Sequence, residues 1–377
     1  MECYHELIPG LPDDVALECL ARVMVRFHPG LRLVCRGWRN LVSASHFYRH
    51  RDRIGAAEDL IFFVQAGKGG GCRDGEAEEG EKHGGVGSQQ PTHGLSAYNA
   101  TMRSWHRVAT NEPVPLFAQI ATVGRKVVLL GGWDPVSLDP TAAVRILDPA
   151  TGGWRRGTPM AQPRSFFACG AVGKQVFVAG GHDAQKNALR TAETYDPSAD
   201  EWAALPDMGE ERDECQGVEA GGRFWAVSGY GTEGQGRFVE AAEWYDTAAG
   251  QWRREEGMWE AGGTAYVGVA GGRMWSVGCG REATGEGWVR EYEGVGKGWK
   301  EVAPHPAGVK RGGRSPCAAV AVGGGDRERV FVMAAAEEES GADHRGCVLE
   351  VGSRHWTRVE TPVGFTGFVF SAAAVRL

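Results

Sequence analysis

The sequence lacks the features that mark membrane-spanning and secreted proteins. No apolar run approaches the ~18 residues that a membrane-spanning helix requires. The first residues, MECYHELIPG, hold no basic stretch followed by an apolar one, as a signal peptide would. The nine cysteines form no CxxC pair, which favours free thiols in a reducing compartment over a disulfide framework. We therefore expect an intracellular protein, in the cytoplasm and/or the nucleus.

An excess of positive charge is missing too, whereas glycine is abundant. The formal net charge is -7, which argues against a protein held on nucleic acid by phosphate contacts and favours a protein partner. Glycine accounts for 57 of the 377 residues, about twice the ~7% of an average protein. Because the hydrophobic and charged fractions, 42% and 24%, are ordinary for a globular chain, the glycine excess needs a structural explanation.

Residues 1–56 predict a small all-α domain. Pro12 followed by Asp13 and Asp14 predicts a helix start, since proline lacks an N–H that would stay unpaired there and the carboxylates face the positive end of the helix dipole. A single amphipathic helix is predicted from the helical spacing of Leu31, Val34, Cys35, Trp38, Leu41 and Val42. About fifty residues bury little surface alone, so another surface should cover part of this domain. The helical domain is then either a cap packed on the rest of the chain or a docking site for a partner.

A repeat dominates the sequence after residue 57. Tryptophans recur at intervals of 49, 48, 50, 47 and 57 residues, at Trp105, Trp154, Trp202, Trp252, Trp299 and Trp356. Seven residues before each stands an aromatic or leucine side chain, at Tyr98, Leu147, Tyr195, Tyr245, Tyr292 and Leu349. The two positions of each pair should face each other across a turn between two strands.

The repeat predicts a six-bladed kelch β-propeller over residues 57–377. Apolar strands that run into glycine, such as QVFVAGG, precede each pair, and a further strand of small residues precedes those, so that each unit holds four strands. Four short strands with a period near 49 residues are typical of kelch blades. A β-sandwich would not repeat tyrosine and tryptophan in one register. Glycine then has a reason, because inner strands crowd the propeller axis and their exit turns favour positive φ.

The two ends of the propeller sequence predict how the ring closes. The first unit lacks its innermost strand, and residues 368–377 resemble the first strand of the third unit. We expect this C-terminal strand to complete blade 1 and to hide a sheet edge. Residues 67–94 are polar and rich in glycine, and we expect a disordered loop insert there.

The sequence predicts no catalytic residue, no metal site and no cofactor. It contains no GxxxxGK[ST], HExxH or GxSxG motif. The segment GYGTEG from Gly229 to Gly234 fits GxGxxG, but the repeat places it between two strands instead of before a helix. His182 and Asp183 follow a glycine pair, yet the equivalent residues of other blades are not metal ligands, so a metal site there is disfavoured.

Three arginines share one position of the repeat. Arg164, Arg212 and Arg314 each stand eight residues before the end of the first strand of their unit. The loops that hold them should surround the mouth of the central channel, where guanidinium groups would suit acidic or carbonyl ligands of a target. The alternative is that each arginine only bonds to neighbouring carbonyls.

Residues 7–48 resemble an F-box, through LIPGLPDDVALECL and VCRGWRNL. Together with the kelch repeats, the whole chain is similar to plant kelch-repeat F-box proteins. The resemblance implies a non-catalytic substrate-recognition subunit of an SCF-type ubiquitin ligase, which binds a Skp-family adaptor, and through it a cullin, and presents a target for ubiquitination and proteasomal degradation. Carried over to this sequence, the adaptor-binding residues are Leu7, Pro9, Leu11, Pro12, Leu17, Leu20, Val34, Cys35 and Trp38.

The resemblance indicates two kinds of target. The family is associated with turnover of phenylalanine ammonia-lyase or of cytokinin response regulators, and nothing in these residues distinguishes the two. Two other classes are alternatives. A kelch-type oxidase would need a copper site of Tyr, Cys and His, and a kelch scaffold without ligase function would not bind the adaptor. Blades five and six lack the paired glycines, which makes target binding there less certain.

Overall fold

A helical domain is followed by a six-bladed β-propeller. The computed structural model describes residues 6–66, 93–258, 265–278, 289–294, 297–309, 318–323, 327–337 and 343–377. Within these residues the helical domain contains α1 (Asp13–Ala21), α2 (His28–Val34), α3 (Arg36–Ser43) and α4 (Ser45–Arg53). No helix in this described part is long and apolar enough to cross a membrane.

The helical domain confirms one predicted helix and corrects another. As predicted, α1 begins directly after Pro12. The single helix expected from Leu31 onward is wrong, because Cys35 adopts an extended conformation (φ -156°, ψ 171°) and separates α2 from α3. The Sγ of Cys35 accepts a hydrogen bond from the backbone N–H of Trp38 over 3.4 Å. This bond satisfies one of the donors that a new helix start leaves unpaired.

The strands form six four-stranded antiparallel sheets, which are the blades. Blade 1 contains β1 (Asp59–Ala66), β2 (His93–Asn99) and β3 (Ser104–Arg107). Blade 2 contains β4 (Gln119–Val123), β5 (Lys126–Leu130), β6 (Val144–Asp148) and β7 (Gly153–Gly157). Blade 3 contains β8 (Ala168–Val172), β9 (Gln175–Ala179), β10 (Ala192–Asp196) and β11 (Glu201–Leu205). Blade 4 contains β12 (Gln216–Ala220), β13 (Arg223–Val227), β14 (Ala242–Asp246) and β15 (Gln251–Glu255).

The last two blades have the same order of strands. Blade 5 contains β16 (Ala265–Val269), β17 (Arg273–Val277), β18 (Val289–Tyr292) and β19 (Trp299–Ala303). Blade 6 contains β20 (Ala318–Val322), β21 (Arg329–Ala335), β22 (His344–Glu350) and β23 (Trp356–Val359). The last strand, β24 (Val369–Arg376), pairs with β1 and is the innermost strand of blade 1. The predicted closure of the ring by the C-terminal strand is therefore confirmed.

The repeated tryptophans link each blade to the one before it. All six lie directly opposite the tyrosine or leucine predicted as their partner. The indole N–H of Trp202 donates to the carbonyl of Thr158, just after the outer strand of blade 2, over 2.8 Å. The other five indoles make the equivalent bond, over 2.8 to 3.1 Å. The sequence period thus corresponds to a ring of bonds between neighbouring blades.

Glycine at the end of the second strand allows neighbouring blades to approach closely. Gly180 has a φ of +69°, and a Cβ built on it would lie 2.4 Å from the carbonyl oxygen of Arg212 in the next blade's entry loop. Gly181 has a φ of +83°, and a Cβ built on it would lie equally close to the carbonyl oxygen of Ser165. Both reasons predicted for glycine here, positive φ and close packing, are present in the structure.

Two loop predictions have different outcomes. The segment Gly229 to Gly234 does connect two strands, β13 and β14, so it is not a dinucleotide fingerprint. Of the predicted disordered insert at 67–94, residues 67–92 lie outside the described residues. The last two, His93 and Gly94, already belong to β2, where they pair with β1. The prediction of a disordered insert is therefore wrong for its last two residues.

The helical domain packs on one end of the propeller, over blades 1 and 2. The guanidinium of Arg125, in the turn between β4 and β5, lies 4.2 Å from the centroid of the Tyr48 ring. Side chains of α1 and α4 share a core with β1, β2, β4 and β5. We call this side of the propeller the helical end. It carries, in each blade, the turn between the first and second strands and the turn between the third and fourth strands. The opposite, loop end carries the other connections, which in blades 2 to 4 are 108–118, 131–143, 158–167, 180–191, 206–215 and 228–241.

Candidate functional site

Residues 6–12 precede α1, form a turn and are bound to α3. The backbone N–H of Leu7 donates to Oδ1 of Asp13 over 3.0 Å, and the indole N–H of Trp38 donates to the carbonyl of Leu7 over 2.6 Å. Gly10, with a φ of +82°, turns the segment between these anchors. Trp38 therefore positions residues 6–12 in addition to any contact it makes with a partner.

Large apolar side chains stay exposed on the helical domain. Leu33 is 80% exposed, Val34 61% and Val15 43%. Of the residues predicted to bind an adaptor, the exposed ones are Pro9, Pro12, Val34 and Cys35, and the partly buried ones are Leu7, Leu11, Leu17 and Trp38. The propeller thus leaves an apolar part of this domain uncovered, which a pure cap would not do.

Leu20 differs from the other predicted adaptor-binding residues. It is 3% exposed and belongs to the core that the helices share with blades 1 and 2. Its prediction as a surface contact is corrected, because α1 turns this position toward the propeller. Sequence reasoning missed Val15 and Leu33. Leu33 stands outside the apolar spacing that begins at Leu31, and this misfit is the signal that could have identified it.

A buried ion pair joins the helical domain to the propeller. Arg51 and Glu58 are 0% and 4% exposed and pair over 2.8 Å. The same carboxylate accepts the backbone N–H of Val25 over 2.8 Å and the side-chain amide of Asn99, at the end of β2, over 2.6 Å. Removing one partner of such a pair costs ~3–5 kcal/mol. The network therefore fixes the orientation of one domain on the other.

Arg164 stands before β8, as predicted, but faces the interior. It is 1% exposed. Its guanidinium donates to the carbonyls of Gly180 and Thr191 over 2.9 and 3.1 Å, and to Oε1 of Glu193 over 3.3 Å. The arginine thereby holds the end of the second strand of its blade to the start of the third.

Arg212 repeats this arrangement in blade 4. It is 0% exposed, donates to the carbonyl of Ser228 over 2.7 Å and pairs with Glu243 over 3.0 Å. The prediction that Arg164 and Arg212 contact a target is therefore corrected, because enclosed guanidinium groups cannot reach one. The alternative, bonding to neighbouring carbonyls, describes both. Arg314 lies outside the described residues.

The rim of the loop end includes Trp133, His182 and Tyr230. Each of them stands three positions after the end of the second strand of its blade, in blades 2, 3 and 4. The indole N–H of Trp133 and the ammonium of Lys186 both donate to Nε2 of His182, over 3.3 and 3.1 Å. Nδ1 of the same ring lies 2.8 Å from Oδ1 of Asp213. Both ring nitrogens of His182 thus have side-chain partners within the protein.

An aromatic cluster lies beside this rim. The ring centroids of Phe117 and Phe166 are 4.8 Å apart, and Phe370 lies 5.3 and 5.4 Å from them. Phe166 also stacks on His182 at 5.5 Å. Sequence reasoning missed this cluster. The available signal was the adjacent pair Phe166 and Phe167, of which only Phe167 belongs to the buried core.

Comparisons with known proteins agree with both parts of the chain. The family model described as F-box domain matches residues 8–50, which contain all four helices except the end of α4. The model described as Kelch motif matches residues 163–209, which contain blade 3. The chain is 50% identical over 251 residues to the Arabidopsis thaliana F-box/kelch-repeat protein At2g44130, covering 62% of this chain and 61% of that protein.

A second relative from the same organism, F-box/kelch-repeat protein SKIP20, is 44% identical over 264 residues, or 63% of each chain. The two family models and these relatives support a place for this chain among the plant F-box/kelch-repeat proteins. The matched region spans less than two thirds of the length of these curated relatives.

Burial makes three thiols of this chain unreactive, and possible metal ligands are not grouped in its described part. Burial raises the pKa of the Cys169 thiol to about 12 and those of Cys215 and Cys347 to about 11. These thiols are therefore protonated at neutral pH and are poor nucleophiles. In the part of the chain that the structure describes, no three His, Cys, Asp or Glu side chains are grouped so as to hold a metal ion.

Proposed function

We propose that this protein is the substrate-recognition subunit of an SCF-type ubiquitin ligase. Its F-box binds a Skp-family adaptor, and through it a cullin, while the propeller binds a target protein for ubiquitination and proteasomal degradation. The observation that carries the proposal is the exposed apolar surface of the helical domain, since Leu33 and Val34 are 80% and 61% exposed. Exposed apolar surface of this kind typically marks a protein interface.

The proposed adaptor-binding surface contains the predicted residues that solvent reaches, with Val15 and Leu33 added. Its predicted members are Leu7, Pro9, Leu11, Pro12, Leu17, Val34, Cys35 and Trp38. Leu20 supports this surface from the core. Trp38 acts partly by holding Leu7 in place.

We propose that the protein carries out no bond chemistry and acts by proximity. The adaptor and cullin hold the charged conjugating enzyme, and the propeller holds a target lysine within its reach, which raises the effective concentration of that lysine. The buried pair of Arg51 and Glu58 supports this mechanism, because a fixed domain orientation fixes where the target is presented. The loop end is the proposed target site, since it faces away from the F-box.

The target class remains a proposal from the resemblance, either phenylalanine ammonia-lyase or a cytokinin response regulator. We propose that the protein acts in the cytoplasm and/or the nucleus, and the exposed free thiols of Cys19 and Cys35 are compatible with these reducing compartments.

Adaptor binding tests the proposal directly. We expect the full chain to bind a purified Skp-family adaptor in calorimetry, and the double variant Leu11→Ala, Pro12→Ala and the single variant Val34→Asp to lose this binding while their circular dichroism is unchanged. Val136→Asp is the matched control, because Val136 is 78% exposed at the loop end. An unmodified chain that does not bind the adaptor would instead be a kelch scaffold, and variants that bind normally would disprove the proposed surface.

A further inference from the structure

One row of residues at the loop end has the same unusual backbone in three successive blades. Phe117, Phe166 and Glu214 each stand two residues before the innermost strand of their blade, with φ of +57°, +54° and +50°. A left-handed conformation costs a residue with a side chain roughly 1–2 kcal/mol. Its recurrence places two aromatic rings and one carboxylate at equivalent positions around the propeller axis.

The part of this row in blades 2 and 3 is apolar. Phe117 and Phe166 are partly exposed and contact each other and Phe370. The loop between β5 and β6 adds Val136 and Leu138, which are 78% and 47% exposed. Large apolar groups are seldom left in water in such number unless a partner covers them.

The part of the row in blade 4 is acidic. Residues 210–214 are Glu, Glu, Arg, Asp and Glu. The arginine, Arg212, is buried against Glu243, so its charge is balanced within the blade. Glu211 and Glu214 are exposed, and Glu214 accepts a hydrogen bond from the hydroxyl of Tyr230 over 2.9 Å. A cation would therefore be attracted to this side of the row.

The protein already places one cation on this rim. The ammonium of Lys186 lies 3.8 Å from the centroid of the Trp133 ring and 3.1 Å from Nε2 of His182. Lys186 is itself exposed and comes from a loop of blade 3. Its position indicates that aromatic faces and acceptors on this rim accommodate a positive charge.

We infer that the loop end binds a target segment in which a lysine or arginine adjoins apolar residues. The apolar residues lie over Phe117, Phe166 and the loop with Val136, and the basic residue lies against Glu214. The inference rests on the proposed function, because it specifies the chemistry of the target that the propeller would hold. Charge complementarity selects this segment over an acidic one.

Peptide selection on the full chain provides the first test. A random peptide phage library is selected on the immobilised protein, with prior depletion on the variant Phe166→Ala, Glu214→Lys. We expect enrichment of peptides that combine arginine or lysine with leucine or aromatic residues. Recovery of predominantly acidic peptides, of peptides that the depleting variant binds equally, or of no peptide overturns the inference.

Fluorescence anisotropy with a labelled selected peptide then tests the residues one by one. We expect Glu214→Lys and Phe166→Ala each to weaken binding roughly fivefold or more. Glu201→Lys is the charge-matched control on the exposed outer strand of blade 3 and should leave affinity unchanged. We expect Lys186→Met to tighten binding, because it removes from the rim a positive charge that repels the basic residue of the segment. A weaker or unchanged affinity for this variant contradicts the inference.

Adaptor binding separates the two proposals. The same preparations are measured against the Skp-family adaptor, and all four variants should bind it normally because they lie on the propeller. If the adaptor binds but selection fails, only the inferred target chemistry is wrong. If the adaptor does not bind the unmodified chain, the proposed ligase role fails, whatever the peptides show.

Discussion

Deletion of residues 368–377 should destroy the fold, although it removes only the end of the chain. These residues include β24, which pairs with β1 along almost its whole length. Its backbone also continues the pairing beyond the strand, since Leu377 and Glu58 exchange N–H to carbonyl bonds of 3.0 and 2.7 Å. The deletion would expose the edge of β1 and leave blade 1 without an innermost strand.

The magnitude follows from the buried side chains of the strand. Val369, Val375 and Leu377 are 2%, 5% and 1% exposed. Burial of each such side chain is worth ~1.5–3 kcal/mol, so the three contribute about 5–9 kcal/mol. This is comparable to the whole free energy of unfolding of a typical protein, ~5–15 kcal/mol. The truncated chain should therefore be mostly unfolded or aggregated.

The assay compares soluble yield, size-exclusion profile and urea denaturation for the full and truncated chains. A synthetic peptide of residues 368–377, added during refolding, should restore soluble monomer, whereas the same peptide carrying Val375→Asp should not. A truncated chain that is monomeric and unfolds at the same urea concentration as the full chain would refute the reasoning.

Three further predictions concern single positions. Trp202→Phe removes one bond between blades and should lower the free energy of unfolding by about 1 kcal/mol in urea denaturation; an unchanged midpoint would contradict this. Gly180→Ala should lower the free energy of unfolding clearly more than Gly173→Ala. Both glycines have positive φ, but only Gly180 faces a carbonyl, that of Arg212, while a Cβ on Gly173 meets open space. Equal urea midpoints for the two variants would contradict this close approach. Burial lowers the pKa of His28 from 6.5 to about 4, so the unfolded chain takes up this proton at a higher pH than the folded one. The free energy of unfolding should therefore fall by ~3 kcal/mol as the pH drops from about 6.5 to about 4, and His28→Gln should reduce this slope, as measured by denaturation across that range.

The fold was largely predictable because its signals are local and repeated. The spacing of Trp202 from Tyr195 is imposed by one hairpin, and every blade contains that hairpin. The closing strand was predictable because residues 368–377 resemble the first strand of another blade. The break at Cys35 was not, since helical spacing continues through it while the backbone does not.

The candidate sites depended more on the tertiary structure. The sequence alone determined that an apolar helical domain precedes six similar blades and that arginines recur at one position of the repeat. Only the tertiary structure decided that Arg164 and Arg212 face inward, that Leu20 is core and that Leu33 is surface. The physical reason is that spacing along the chain determines which residues share a strand or a helix face, whereas the direction in which that face points depends on what packs against it.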